Sequence, residues 1–145
     1  MFLNNFGLGD KEEVRGYQDG RQAFLGSAGL DDGNARDRLL PIKRLDGYIP
    51  EKGIERVDFL KVDTEGFDLK VLIGGVSFFH IIKFIQYEHW GEVDNRMIKG
   101  LLAPEFDCYD VGYRNVFCMN RNLVSEEERS RLKTYIRDNK LGELV

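Results

Sequence analysis

Asp63, Glu65, Glu88, His89 and Trp90 are the residues of this sequence whose types and places could carry chemistry. Asp63 and Glu65 stand in Asp63-Thr64-Glu65-Gly66, directly after the run Val57-Asp58-Phe59-Leu60-Lys61-Val62. Glu88, His89 and Trp90 are consecutive and end a second run of the same kind, Lys83 to Glu88. A carboxylate at the carboxyl end of a strand can position a reacting hydroxyl or take its proton. Asp63 is the first choice for that task, and Glu65 follows as base or substrate orienter. Glu88 and His89 can hold acceptor hydroxyls, with Trp90 stacked on a sugar face. Structural roles compete with each of these. Asp63 can be a turn-forming acceptor of amide hydrogens from the next helix, a role compatible with facing a site. Glu65 can be a first-turn acid serving the helix dipole. Glu88, His89 and Trp90 can form a surface rim with the indole packed on the sheet. Asp63, Glu65, Glu88 and His89 together would suit Mg or Mn, but no spacing demands an ion and no metal is expected.

These placements depend on the elements around them. Val57 to Val62 reads as a strand, and from Phe67 the period changes to that of a helix, with Leu69, Leu72, Ile73 and Val76 in step. Gly74-Gly75 is its natural stop. Lys83 to Glu88 is again strand-like, Asp94 to Leu102 can form a helix ending before Pro104, and Cys108 to Tyr113 pairs with Asn115 to Met119 as an antiparallel hairpin around Arg114. Ser125-Glu126-Glu127-Glu128 is a capping box opening a last helix, whose apolar face is Leu132, Tyr135 and Ile136. Upstream, the segment through Gly9 resembles the tail of a strand, and Gly9-Asp10 makes a turn. Lys11 to Arg38, rich in Gly, Asp and Arg, reads as a hairpin or irregular excursion. Leu39 to Leu45 is a short strand ended by Asp46-Gly47, and Tyr48-Ile49 starts a short helix or turn closed off around Pro50 and Gly53. This alternation predicts an α/β sheet with helices on its faces, whose ligands lie beyond the carboxyl ends of the strands.

Composition narrows the function classes. The 145 residues are 42% hydrophobic, one domain's worth of chain. A formal net charge of -4 leaves no electrostatic footprint for nucleic acid or an anionic membrane. Arg129 to Lys140 alternates with acids and reads as a solvated helix face. The opening Met1-Phe2-Leu3-Asn4-Asn5 has neither the basic nor the apolar region of a secretory signal. Val76 to Ile85, broken by His80 and Lys83, is far short of a membrane span. A soluble, cytoplasmic protein is expected. Cys108 and Cys118 read as buried free thiols, not as a zinc site or disulfide scaffold. His80 is expected in the core or at a helix end, and Lys61 to snorkel or pair.

The eighteen residues Asp58 to Gly75 resemble the hallmark of the FkbM family of S-adenosylmethionine-dependent methyltransferases. That family carries a strand ending in Lys-Ile-Asp-Val-Glu-Gly, then a helix of the type Glu-Leu-x-Val-Leu-x-Gly-Ala. Here Val62, Thr64, Asp68 and Gly75 replace Ile, Val, Glu and Ala. Leu8-Gly9-Asp10 resembles the Leu-Gly-Asp after the family's third strand, and Leu45-Asp46 the Leu-Asp-Asp before the hallmark, with Gly47 for the second Asp. Ile85 to Glu88 resembles the fifth strand, and Tyr113 to Asn120 the closing hairpin. The resemblance runs from about Asn4 to Asn120. It implies a partial class I methyltransferase (Rossmann-like) sheet over residues 1–124, with residues 125–145 as the C-terminal helix of the same domain. It also implies O-methylation of a sugar, glycan or polyketide-like hydroxyl, with Asp63 and Glu65 catalytic and Glu88, His89 and Trp90 on the acceptor.

The N-terminal cofactor-binding strands are absent from this pattern. Such a sheet begins with a strand ending in a glycine-rich turn, and an acid for the ribose hydroxyls comes one strand later. Gly7-x-Gly9 stands in the wrong place for that turn and is not followed by a helix, and Gly26 to Gly33 has no strand before it. The cofactor-binding residues for S-adenosylmethionine are therefore unknown. The missing strands would lie beside the hallmark strand and leave it an open edge. Met1 would then be internal to a longer protein, or a partner chain would supply the missing half, and this chain alone should be inactive. The alternatives are a non-catalytic remnant with a binding or assembly role and, more remotely, a carboxylate-metal hydrolase.

Overall fold

Among the described residues, two sheets share the strands, and helices cover the larger. The computed structural model describes residues 4–17 and 38–139. The smaller sheet holds β1 (Gly7–Leu8), β2 (Glu13–Tyr17) and β3 (Arg38–Lys43) in the order β1-β3-β2. β1 runs parallel to β3, and β2 is antiparallel to it, with Glu13 opposite Ile42 and Tyr17 opposite Arg38. The segment expected from Lys11 to Arg38 to be a hairpin or irregular excursion thus has its described ends paired antiparallel, and Gly26 to Gly33 lie outside the described residues. Helix α1 (Leu45–Glu51) follows and buries Leu45 and Ile49, one turn apart on a single face.

The larger sheet is built from β4 (Val57–Val62), β5 (Ile82–Glu88), β6 (Phe106–Gly112) and β7 (Asn115–Asn120), in the order β4-β5-β7-β6. β4 and β5 are parallel, with Leu60 opposite Ile85, and the other pairings are antiparallel. A parallel pair needs a long crossover. Helix α2 (Asp68–Ile73) and a 3-10 helix (Val76–Ile81) supply it. Helix α3 (Glu92–Leu102) joins β5 to β6, and α4 (Glu126–Asp138) follows β7. The mixed α/β class is as expected, although the described strands divide between two sheets. β4 ends its sheet among the described residues, so one side of the hallmark strand has no strand neighbour there.

Side-chain alternation decides what each face packs against. Ile85, Val116 and Cys118 point to one face, where Leu72 of α2 and Ile98 and Leu102 of α3 cover them. Tyr109 and Met119 point to the other and meet Val124 and Ile136 of the α4 region. Burying each such side chain stabilises by about 1.5–3 kcal/mol. His80 lies in the last turn of the 3-10 helix and is exposed, a helix-end histidine and not a core one.

The two cysteines correct the expectation of free thiols: Cys108 and Cys118 form a disulfide. They face each other directly across β6 and β7, with Cα atoms 4.0 Å apart, and both are buried. The turn alone would set Cys108 opposite Met119; an irregularity between Asp110 and Gly112 shifts the register by one residue and brings Cys118 opposite instead, which the sequence pattern does not reveal. Reduction of a bond closing so short a loop is expected to cost about 2–3 kcal/mol. Urea unfolding with and without reductant measures it, and equal midpoints would refute it.

The capping box forms as read. Ser125 Oγ accepts from the Glu128 amide at 3.2 Å, and Glu128 Oε2 accepts from the Ser125 amide at 3.1 Å. Glu128 also accepts from Lys83 Nζ of β5 at 2.5 Å, which ties α4 to the sheet. Lys83 first, and then Ser125, hold the Glu128 carboxyl down to about 2 from its ordinary 4.5. A carboxyl held low in the folded state stabilises fully above pH 4.5, and that contribution fades as pH falls toward 2. Glu128→Gln should therefore lower the urea midpoint at pH 7 and flatten its decline in acid. An unchanged acid limb would contradict this.

Candidate functional site

Because β4 and β5 are parallel, both carboxyl ends emerge at one edge of the sheet. The last paired residues are Val62 and Tyr87, so Asp63 and Glu88 leave the strands side by side. Asp63, Glu65 and Glu88 each place a carboxylate oxygen within 4.8 Å of the others. This spacing could take a divalent cation, though exposed acids at such distances are common without one. His89 does not join that cluster.

Local backbone explains the convergence. Asp63 is exposed and accepts from Lys61 Nζ at 2.7 Å, and this contact raises the Lys61 pKa. Lys61 pairs, as expected. Glu65 has φ 53° and Gly66 has φ 96°, both left-handed. Glycine adopts that region freely, but a glutamate there costs about 1–2 kcal/mol, and such strain gathers at functional sites. Glu65 also lies outside the helix, since α2 begins at Asp68. The helix-dipole role is thereby corrected, because Gly66 and Phe67 delay the first turn. The amide-accepting role foreseen for Asp63 falls to Asp68. That carboxylate is 2% exposed and accepts from the Thr64 amide (3.2 Å), the Thr64 hydroxyl (2.7 Å) and the Glu88 amide (3.0 Å). One buried side chain thus ties the ends of both strands.

Across the site stands the β6–β7 turn. Tyr113 and Arg114 have φ of 52° and 65°, the left-handed pair that a two-residue hairpin turn requires. β7 pairs antiparallel with β5, placing Asn115 opposite Glu88 and the turn beside it. Arg114 Nη2 lies 2.9 Å from Glu88 Oε1, and its guanidinium carbon sits 4.2 Å from the centre of the Trp90 ring. Gly66 borders the same indole, for a Cβ there would meet it at 3.7 Å. Trp90, half exposed, stands between these two turns. His89 donates its backbone N–H to the Arg114 carbonyl at 3.0 Å, and its Nδ1 is buried without a hydrogen-bond partner among the described residues.

Asp68 and Arg114 are the two residues that sequence reading passed over. Asp68 appeared as a departure from a pattern and Arg114 as the middle of a turn. The pairing of β5 with both neighbours is the signal that would have found them.

A cradle for S-adenosylmethionine needs a glycine-rich turn leading from a strand into a helix. The nearest case among the described residues, Gly7-Leu8-Gly9, leads from β1 toward β2, and Gly9 is buried against Ile42, Phe67 and Gly74. It packs elements together. The residues described do not by themselves fit that cofactor.

Residues 3–113 match the family model described as Methyltransferase FkbM domain. No curated protein and no solved structure matches the chain.

Proposed function

Since the chain belongs to the methyltransferase FkbM domain family, we propose that it is the acceptor-side part of an S-adenosylmethionine-dependent O-methyltransferase. The acceptor would be a hydroxyl on a sugar, glycan or polyketide-like molecule. The observation that carries this reading is the meeting of Asp63, Glu65 and Glu88 at the ends of β4 and β5, each with an oxygen within 4.8 Å of the others. Asp63 takes the proton that the acceptor hydroxyl loses, with its carboxylate steadied by Lys61. Glu65 orients the hydroxyl, Glu88 and His89 hold neighbouring hydroxyls, and Trp90 offers its ring to an apolar sugar face. Methyl-donor binding belongs outside the described residues, in a cofactor half supplied by a longer polypeptide or a partner chain.

Two features support an incomplete unit of class I methyltransferase type: the parallel β4–β5 pair closed by an antiparallel hairpin, and the open side of β4. This stretch alone should transfer no methyl group. The intact mass of the natural gene product in its own cells tests that reading. A species longer by on the order of 80–100 residues, one cofactor-binding half, would support it. A product of this length that methylates an acceptor unaided would contradict it.

A second reading, a non-catalytic remnant serving assembly, is favoured by Phe59, which is 49% exposed and 6.5 Å from the Phe117 ring beside the open edge. Cytoplasmic residence belongs to the proposal as well. No helix among the described residues is long and apolar enough to cross a membrane. The disulfide weighs on the other side, since such bonds persist in oxidising compartments.

A further inference from the structure

We propose that Arg114 is a specificity-determining latch: its guanidinium covers Trp90 and holds Glu88 until an uncharged sugar ring displaces it from both. This rests on the acceptor-site reading above. Arg114 makes two contacts, an ion pair of 2.9 Å to Glu88 and a cation–π contact of 4.2 Å to Trp90. These are the two groups an acceptor sugar would use, a carboxylate for its hydroxyls and an aromatic face for its ring.

The mobile partner is the arginine. The Glu88 side chain is 13% exposed, and its backbone N–H is held by buried Asp68 at 3.0 Å. The Arg114 side chain is 48% exposed, while its backbone is pinned by the turn and by the His89 N–H at 3.0 Å. The side chain can therefore swing out while Glu88 and the hairpin stay in place. Charge selects what replaces it. An incoming ring meets Asp63, Glu65 and Glu88, and Lys61 is already paired with Asp63. Once Arg114 leaves, a carboxylated sugar faces net repulsion. An uncharged ring does not.

Closure lowers apparent affinity by the fraction of time the site is shut. Arg114 and Trp90 are each about half exposed, so the contacts of the guanidinium are screened by water, and release should tighten sugar binding roughly five- to thirtyfold. Arg114→Gly and Arg114→Asn are suitable variants, because both residues tolerate the left-handed φ at this position.

Trp90 is the single tryptophan of these 145 residues, and the fluorescence that Trp90→Phe removes reports on the site. Titration with methyl α-glucopyranoside, methyl α-mannopyranoside and methyl α-galactopyranoside, with glucuronate as the anionic control, should give a saturable change. The expected result is tighter binding of at least one neutral pyranoside by both variants, no such gain for glucuronate, and loss of the gain when Glu88→Gln is added. Equal or weaker binding by both variants would overturn the latch, as would the absence of any response to the neutral sugars. Transfer of label from S-adenosylmethionine, measured separately on the natural-length product, keeps the two readings apart. Transfer without a gain in the variants sinks the latch alone, and a gain without transfer sinks the methyltransferase reading alone.

Discussion

Asp63→Asn should lower the rate of methyl transfer by about 10²- to 10⁴-fold, the usual contribution of a positioned general base. The amide keeps the shape of the carboxylate and loses its basicity, so acceptor binding should change little and the loss should fall on kcat. Stability should barely move, because the Lys61–Asp63 pair is about half exposed on both sides and such pairs contribute little. Glu65→Gln, at the position proposed to orient the hydroxyl, should lose less. Single-turnover transfer of labelled methyl by the natural-length protein makes the comparison. An Asp63→Asn rate within about threefold of wild type would remove Asp63 from the role of base.

Gly74→Ala should unfold or severely weaken the protein. Gly74 follows α2, where the backbone approaches Gly9 so closely that an added Cβ would stand 2.0 Å from the Gly9 carbonyl oxygen. A backbone atom cannot rotate away, so the end of α2 and the strand segment after β1 must separate. Overpacking of this kind costs on the order of 3 kcal/mol or more. The same contact holds the smaller sheet against the crossover that places Asp63 and Glu88, so activity should fall with stability. Gly100→Ala in α3 is the control. Nothing lies within 4 Å of its added Cβ, and alanine should stabilise the helix by about 0.5–1 kcal/mol. Similar urea midpoints for the two variants would contradict this account of Gly74.

What could be read in the sequence was what local pattern controls. Val57 to Val62 forms a strand with the expected ends, and Ser125 caps α4 through Glu128. The hallmark run led to the family that residues 3–113 match. Properties set by register between strands were not readable. The hairpin of β6 and β7 was readable, but the cysteines looked like isolated thiols because the register shift between Asp110 and Gly112, which sets them face to face, was not. Asp68 looked like a substitution in a motif because its partners, Thr64 and the Glu88 amide, lie on two different strand ends. Arg114 reaches Trp90 and Glu88 only through the antiparallel match of β5 with β7. Glu65 was misplaced for another reason. Its spacing fits a first helical turn, but Gly66 allows a left-handed turn that postpones the helix.

The most direct measurement incubates the natural-length product with S-adenosylmethionine labelled in its methyl group and a glycan fraction from the same cells, then locates the label by mass spectrometry. The account expects label on a hydroxyl oxygen of an uncharged sugar and a loss of at least 100-fold with Asp63→Asn, the lower bound for a missing general base. No label in any acceptor, or label that the Asp63→Asn variant transfers as fast as wild type, would contradict it.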